Sequence, residues 1–322
     1  MRTRTEWRRA RVATASIAAD GVRLLTFAVP GPLPGFQPGS HMNFAVIIDG
    51  RRVIRTYSCI PTSEGHLAVA VKLHPHSRGG SRFMWGLKPG DSIDLTLPEN
   101  RFELSWRAPH YLLIAGGIGI TPIFGMAKAL QRRGAPLRMV YAAQSGAAMP
   151  FLAELSELLG PRLEVFPLDE GRMLNIAAEI ESLPLDGELY VCGPLGLLAA
   201  VKQAWAAAGR PVSRLRYEVF GDNGKFAEAP FQVEAANYGI TVDVRADQTL
   251  LDALLTAGIP MIYDCERGEC GLCAIRVLKL DGEIDHRDVF LSEAEKAANE
   301  RMCGCVSRLT GGRAVIDVGF RP

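Results

Sequence analysis

Short runs in which apolar and polar positions alternate dominate the first third of the chain. Segments 42–48 (MNFAVII), 53–60 (VIRTYSCI), 66–72 (HLAVAVK) and 92–97 (SIDLTL) are β-rich, and turn formers such as Pro30–Gly31 and Pro89–Gly90–Asp91 separate such runs. A period of two turns one face of each run inward, which predicts a small antiparallel β-barrel over residues 1–107.

From residue 108 the pattern changes. Strand-like segments 111–115 (YLLIA), 137–142 (LRMVYA), 163–167 (LEVFP), 188–192 (ELYVC) and 214–220 (RLRYEVF) are interleaved with helical ones at 122–134, 150–160 and 195–209. This rhythm predicts a parallel doubly wound α/β domain over residues 108–222, a nucleotide-binding shape. Residues 221–230 (GDNGKFAEAP) have no periodic face and read as a linker. In the last segment, 223–322, two strands (231–236, 239–244), a helix (249–258), a cysteine-rich loop and two β-rich stretches (273–280, 314–320) follow in turn.

With 322 residues and 48% hydrophobic side chains the chain can fill a core in each of these three domains. A net charge of +1 argues against a general nucleic-acid binder, but the charge is uneven. Residues 1–230 carry 26 Lys and Arg against 20 Asp and Glu, and the remainder carries 10 against 15. A basic body and an acidic end suit docking between protein partners, although ordinary surface solvation accounts for the same imbalance. The seven cysteines crowd mostly into residues 265–305, and the amino end MRTRTEWRRARV has no apolar stretch behind it, so a reducing cytoplasm is expected. The uncharged run 111–127 is broken by Gly116, Gly117, Gly119 and Pro122, which reads as strand, loop and helix rather than a membrane span. Five arginines among residues 2–11 are expected on a solvated strand edge.

The candidate chemistry starts with Cys265, Cys270 and Cys273, whose C-x4-C-x2-C spacing is that of three ligands to a plant-type [2Fe–2S] cluster. Gly268 and Gly271 free the backbone to wrap tightly, with its amides toward the sulfurs. A zinc site favours paired C-x2-C spacings instead. Arg55, Thr56, Tyr57 and Ser58 form an R-x-Y-S box that can offer a guanidinium to a phosphate, a ring edge to a flat cofactor and a hydroxyl to a ring heteroatom. Ala70, Val71 and Lys72 follow on the next strand, and in Arg78, Gly79, Gly80 and Ser81 a glycine pair opens a short helix whose amides can hold a phosphate; a plain turn with a serine cap is the alternative. Gly116, Gly117, Gly119, Ile120, Thr121 and Pro122 leave a strand and enter a helix, with Thr121 expected as its cap. The spacing is not G-x-G-x-x-G. Cys192, Gly193 and Pro194 repeat the strand-end geometry and form the second half of a nucleotide site, although Cys192 is equally well read as a small core residue.

Taken in order, R-x-Y-S, GGIGITP, CGP, C-x4-C-x2-C and CVSR resemble the phthalate dioxygenase reductase family, which includes vanillate demethylase reductase components, over essentially the whole chain. The resemblance implies an FMN barrel, an NAD domain and a carboxyl-terminal β-grasp ferredoxin. It implies FMN contacts from Arg55, Thr56, Ala70 to Lys72, Arg78 to Ser81 and Thr121, with Phe220 against the isoalloxazine where nicotinamide enters. NADH would lie across Gly116 to Pro122 and Cys192 to Pro194 and pass a hydride to flavin N5; electrons would then leave singly through the cluster to a Rieske-type oxygenase, or to a cytochrome P450. Ser58, Thr121, Cys192 and Phe220 are therefore the residues expected nearest the chemistry. FMN rather than FAD is expected because the connection from Lys72 to Gly79 is short. NADH is expected over NADPH because residues 142–155 hold no Arg or Lys for a 2′-phosphate. The family pattern puts the fourth ligand at Cys305, directly before VSR, while the C-x29-C spacing of plant ferredoxins points to Cys303, and both would face one way on a strand.

Overall fold

The computed structural model describes residues 6–62, 65–74, 79–220, 226 and 229–319, and the chain divides into two compact units, Met1–Glu218 and Val219–Pro322.

The first unit begins with strands β1 (Trp7–Ala19), β2 (Val22–Ala28), β3 (Ser40–Ile48), β4 (Arg51–Ser58) and β5 (His66–Lys72), helix α1 (Gly80–Gly86), then β6 (Ser92–Thr96) and β7 (Glu99–Asn100). Their hydrogen-bonded order is β4-β3-β6-β1-β2-β5, antiparallel throughout, with β7 added to β3. Just past β4, Ile60 N donates to Ala68 O of β5 at 2.9 Å, which brings the two end strands together as a barrel. The alternating apolar residues meet inside: Val12, Leu25, Phe27, Met42, Phe44, Val69 and Leu95 are buried, with the Phe27 and Phe44 rings 5.1 Å apart. One expectation fails here. The arginine-bearing β1 is no edge, because Trp7–Arg11 pairs with β6 while Arg11–Ala19 pairs with β2. Of the five arginines, Arg2 and Arg4 lie outside the described residues, Arg8 is half-buried, and Arg9 and Arg11 are exposed on the face opposite buried Ala10 and Val12.

The same unit continues as β8 (Tyr111–Gly116), α2 (Ile120–Arg132), β9 (Leu137–Ala143), α3 (Leu152–Leu159), β10 (Leu163–Pro167), α4 (Ile176–Ser182), β11 (Glu188–Cys192), α5 (Leu195–Ala207) and β12 (Leu215–Glu218). The sheet is wholly parallel in the order β10-β9-β8-β11-β12. Every residue of the central β8 is buried, which is why it reads as an uninterrupted apolar run. Helix α4 was not foreseen; Asn175 caps it by accepting from Ala178 N at 3.1 Å.

The second unit holds β13 (Phe231–Ala235), β14 (Ile240–Val244), α6 (Leu250–Thr256), β15 (Ala274–Asp281), β16 (Ile284–Asp285), α7 (Glu293–Ala298), β17 (Arg301–Cys303), β18 (Arg308–Leu309) and β19 (Arg313–Asp317). A mixed sheet runs β14-β13-β19-β15-β17, parallel only between β13 and β19, and β16 pairs with β18. Leu250 and Leu254 of α6 pack on Val233, Val242, Ile275 and Ile316, the arrangement of a β-grasp fold. Among the described residues no helix is long and apolar enough to cross a membrane.

Candidate functional site

The β3–β4 register sets the R-x-Y-S box. Ser58 stands opposite His41, Tyr57 opposite Met42, Thr56 opposite Asn43 and Arg55 opposite Phe44. Thr56 Oγ1 donates to Asn43 Oδ1 at 2.7 Å, and Tyr57 meets Phe44 edge-on at 5.7 Å. Arg55 runs along the start of α1 so closely that a Cβ on Gly80 would lie 2.7 Å from its Nε; one on Gly79, at φ +90°, would lie 2.7 Å from Ile48. The glycine pair is therefore what lets α1 approach Arg55 and β3. Helix α1 also packs on β5, where Trp85 Nε1 donates to Val71 O at 2.8 Å, Ala70 and Val71 are buried and Lys72 is half-buried. Gly79, not Ser81, occupies the helix cap, and Ser81 Oγ accepts from His74 N at 3.3 Å. Arg78 lies outside the described residues. Ser58 Oγ is buried and has no hydrogen-bond partner among the described residues. A buried hydroxyl left so costs about 1–3 kcal/mol, and a heteroatom of a flat ring cofactor would relieve it.

The glycine turns after β8 and β11 press against each other. A Cβ on Gly119 would sit 2.2 Å from Cys192 O, one on Gly116 2.8 Å from Pro194 Cδ, and one on Gly193 3.0 Å from Gly116 Cα. Gly117 adopts φ +53° between them. The sheet order runs outward on both sides of β8, so this crevice is the switch point at the carboxyl ends of the strands, where such sheets bind ligands. Thr121 is not the cap of α2. The helix starts at Ile120 with Gly119 at the cap, Pro122 is its third residue, and buried Thr121 turns its hydroxyl back to Ile118 O at 3.0 Å. Cys192 is fully buried in register with Ala115. At the end of β9, Gln144 O accepts from Asp169 N at 3.0 Å, which sets exposed Asp169 and Glu170 beside segment 142–155.

Two residues escaped the sequence reading. His41 is buried and in register with Ser58, and Glu218, only 4% exposed, ends β12 beside buried Cys59, whose thiol is pushed up first by burial and then by the Glu218 charge. For Glu218 there is a signal, the one carboxylate in the strand-like segment RLRYEVF. Phe220 is half-buried two residues past β12, at the start of the second unit.

In the second unit a loop winds round Cys265, whose Sγ faces the amides of Arg267, Glu269 and Cys270 at 3.4 Å each. Gly268 and Gly271 have φ near +70°; a Cβ on Gly268 would lie 2.6 Å from Val306, and one on Gly271 2.3 Å from the Phe290 ring. Cys273 and Cys305 bring their sulfurs to 3.2 Å, and hydrogen bonding with the Cys303 and then the Cys305 thiol holds the Cys273 pKa well below the usual thiol range. Among the described residues no three His, Cys, Asp or Glu side chains converge on a single-ion site. A set of thiols spread around a loop of inward-pointing amides fits a two-iron cluster.

Cys303 and Cys305 do not share a strand face, contrary to the period-two expectation. Strand β17 ends at Cys303; Gly304 N donates to Cys273 O at 3.1 Å, and Val306 N and Ser307 N both return to Cys303 O, so Cys305 lies in a turn. Both thiols interact first with Cys273; Cys305 also feels the charge of Cys265 and accepts from the Gly268 amide, while Cys303 also feels the charge of Asp288. The turn thus carries Cys305 toward the cluster loop.

Three family descriptions match successive segments: an oxidoreductase FAD-binding domain at 9–104, an oxidoreductase NAD-binding domain at 113–203 and a 2Fe-2S iron-sulfur cluster binding domain at 233–310. Fold and sites together define a pyridine-nucleotide oxidoreductase that uses a flavin and a [2Fe–2S] cluster. The chain is 36% identical to the heme-dependent oxidative N-demethylase beta subunit of Ectopseudomonas mendocina (strain ymp), over 96% of this chain and 98% of that one. Its fold is similar to that of phthalate dioxygenase reductase, with TM-score 0.77, 29% identity and coverage of 97% and 98%. An intact type IV self-sufficient cytochrome P450 monooxygenase matches at TM-score 0.67 and 35% identity; 96% of this chain spans 41% of that one. The chain belongs to the phthalate dioxygenase reductase family.

Proposed function

We propose that the chain is the NADH-dependent reductase component of a multicomponent oxygenase, holding FMN and a [2Fe–2S] cluster and delivering electrons to a Rieske-type oxygenase. The observation that carries it is the joining, in one chain matched end to end by such a reductase, of the Ser58 site and its adjoining glycine crevice with an amide-lined cysteine loop. Bound flavin supplies the change from a hydride's electron pair to single electrons, which a [2Fe–2S] cluster takes one at a time.

The chain's residues supply the rest. Gly116, Gly117, Gly119 and Gly193 would leave the backbone bare where a dinucleotide must come close, with Ile120, Pro122, Cys192 and Pro194 flanking them. Thr121 and Cys192 are the side chains packed behind that crevice. Ser58 Oγ would offer its hydrogen bond to the flavin ring, Arg55 and the residues from Arg78 to Ser81 would hold the phosphate, Thr56, Tyr57 and Ala70 to Lys72 would line the ring, and Phe220 would be the residue at the nicotinamide entry. Cys265, Cys270, Cys273 and Cys305 hold the iron; the turn at Gly304, which sends Cys305 toward Cys265 and the Gly268 amide, favours it over Cys303.

FMN is favoured by the short connection from Lys72 to Gly79. Heat release of the flavin followed by chromatography should give FMN, and FAD would overturn this. NADH is favoured because the end of β9 is flanked by Asp169 and Glu170 and by no base within residues 142–155, so a 2′-phosphate would meet repulsion. A kcat/KM for NADPH equal to that for NADH would contradict it. A haem oxygenase as acceptor is the second reading, favoured by the names of the N-demethylase subunit and the P450 fusion. Mixing the reductase and NADH with a Rieske and with a haem oxygenase from the same source separates the two: turnover of the haem partner alone would replace the first reading with the second.

A further inference from the structure

The loop round Cys265 is held in a shape that its backbone alone does not favour. It needs two left-handed residues, Glu266 at φ +52° and Gly268 at φ +73°, and only the second is a glycine. Val289 N fixes the middle of the loop by donating to Gly268 O at 3.0 Å. On either side of Gly268, Arg267 Nη2 and Glu269 Oε2 meet at 3.0 Å, with side chains 10% and 24% exposed. These are two of the three residues whose amides point at Cys265 Sγ.

We propose that the Arg267–Glu269 ion pair is a positioning clasp that keeps the amides of residues 267 and 269 aimed at Cys265, and so governs how firmly the cluster is held and at what potential. The inference rests on the [2Fe–2S] reading of the loop. Charge by itself makes different demands. Beside a cluster of net negative charge, R267Q removes a cation and should lower the potential, E269Q removes an anion and should raise it, and the charge-balanced double variant should return to wild type. The clasp demands that the double variant not return, because the amides lose their tether whatever the net charge. Fewer aligned amides also leave the more negative, reduced cluster less stabilised.

The test uses the full-length protein as purified, with resistance of the second unit to limited proteolysis as the control for its folding. Decay of visible cluster absorbance in excess chelator and an EPR-monitored redox titration are compared for wild type, R267Q, E269Q, R267Q/E269Q and R267K. The expected result is several-fold faster cluster loss and a lower potential in R267Q/E269Q, with R267K, which keeps the charge but not the planar fork, between it and wild type. Wild-type decay and potential in R267Q/E269Q would overturn the clasp. If the double variant takes up no cluster, R267K decides, faster loss supporting the proposal and a wild-type rate overturning it. A wild-type protein without a [2Fe–2S] spectrum would instead sink the reading beneath it.

Discussion

At two glycines an added methyl group would collide with its surroundings. At Gly119 it would overlap the backbone oxygen of Cys192 at 2.2 Å, so Gly119→Ala must part the turns after β8 and β11. Displacement of about 1 Å at a reacting centre costs on the order of 100-fold, and that fall in kcat/KM for NADH is expected with flavin content unchanged. At Gly271 the methyl would meet the Phe290 ring at 2.3 Å on a backbone at φ +71°. Left-handed strain and overpacking together put the cost of Gly271→Ala at about 2–5 kcal/mol, read as cluster absorbance lost at lower temperature. A Gly271→Ala protein melting like wild type would show that the Phe290 ring swings aside freely. For the iron ligands, Cys305→Ser is expected to abolish the visible cluster spectrum and Cys303→Ser to keep it; the reverse pattern would exchange their roles.

Between elements, the segment joining barrel to α/β sheet is tied down by tyrosines. Tyr190 on β11 accepts from Ser105 N at 2.7 Å and donates to Glu188 Oε2 at 2.8 Å, while Tyr111 on β8 donates to Ser105 O at 2.9 Å. Burial, then the bond to Glu188 against that to Ser105, leaves the Tyr190 hydroxyl well above its usual range, so it stays protonated. Tyr190→Phe strands the Ser105 amide and leaves the buried Glu188 carboxylate with its ion pair to Arg216 at 3.4 Å, at about 1–3 kcal/mol and a fall of several degrees in the first unit's thermal midpoint. No change in that midpoint would mean that water replaces the hydroxyl. Nothing in the sequence announced this knot, because its members become neighbours only through the parallel pairing of β8 with β11. The strands themselves were legible wherever alternation or an apolar run persisted, as in β3, β5 and β8. Helices α4 and α7 were too short to show a period, although α7 carries a capping box at Ser292 and Glu295. Candidate site residues stand out in the sequence when chemistry dictates both type and spacing, as in R-x-Y-S, the glycine turns and C-x4-C-x2-C. His41 and Glu218 are single residues that topology brings beside Ser58 and Cys59, and Cys305 lies off the strand because the ladder ends at Cys303, two residues sooner than period two assumes.

At the scale of the whole molecule the division into Met1–Glu218 and Val219–Pro322 separates two tasks. The barrel and the α/β sheet have buried cores of their own, so a protein cut after residue 223 should still bind flavin and oxidise NADH with ferricyanide at near the full-length rate. Delivery to the oxygenase should fail in the same protein, because the cysteine loop is the only exit that the reading provides. The charges bear on the encounter. Residues from 231 onward hold 15 Asp and Glu against 10 Lys and Arg, and Asp264 is exposed next to Cys265 while Glu269 is bound to Arg267. Steering by such a surface weakens as the Debye length shrinks from about 10 Å at 0.1 M salt to about 3 Å at 1 M, so oxygenase turnover should fall across that range while ferricyanide reduction falls less. Full-rate support of the oxygenase by the truncated protein would mean that the partner draws electrons from the flavin directly, and the order from NADH through flavin and cluster to oxygenase would have to be abandoned.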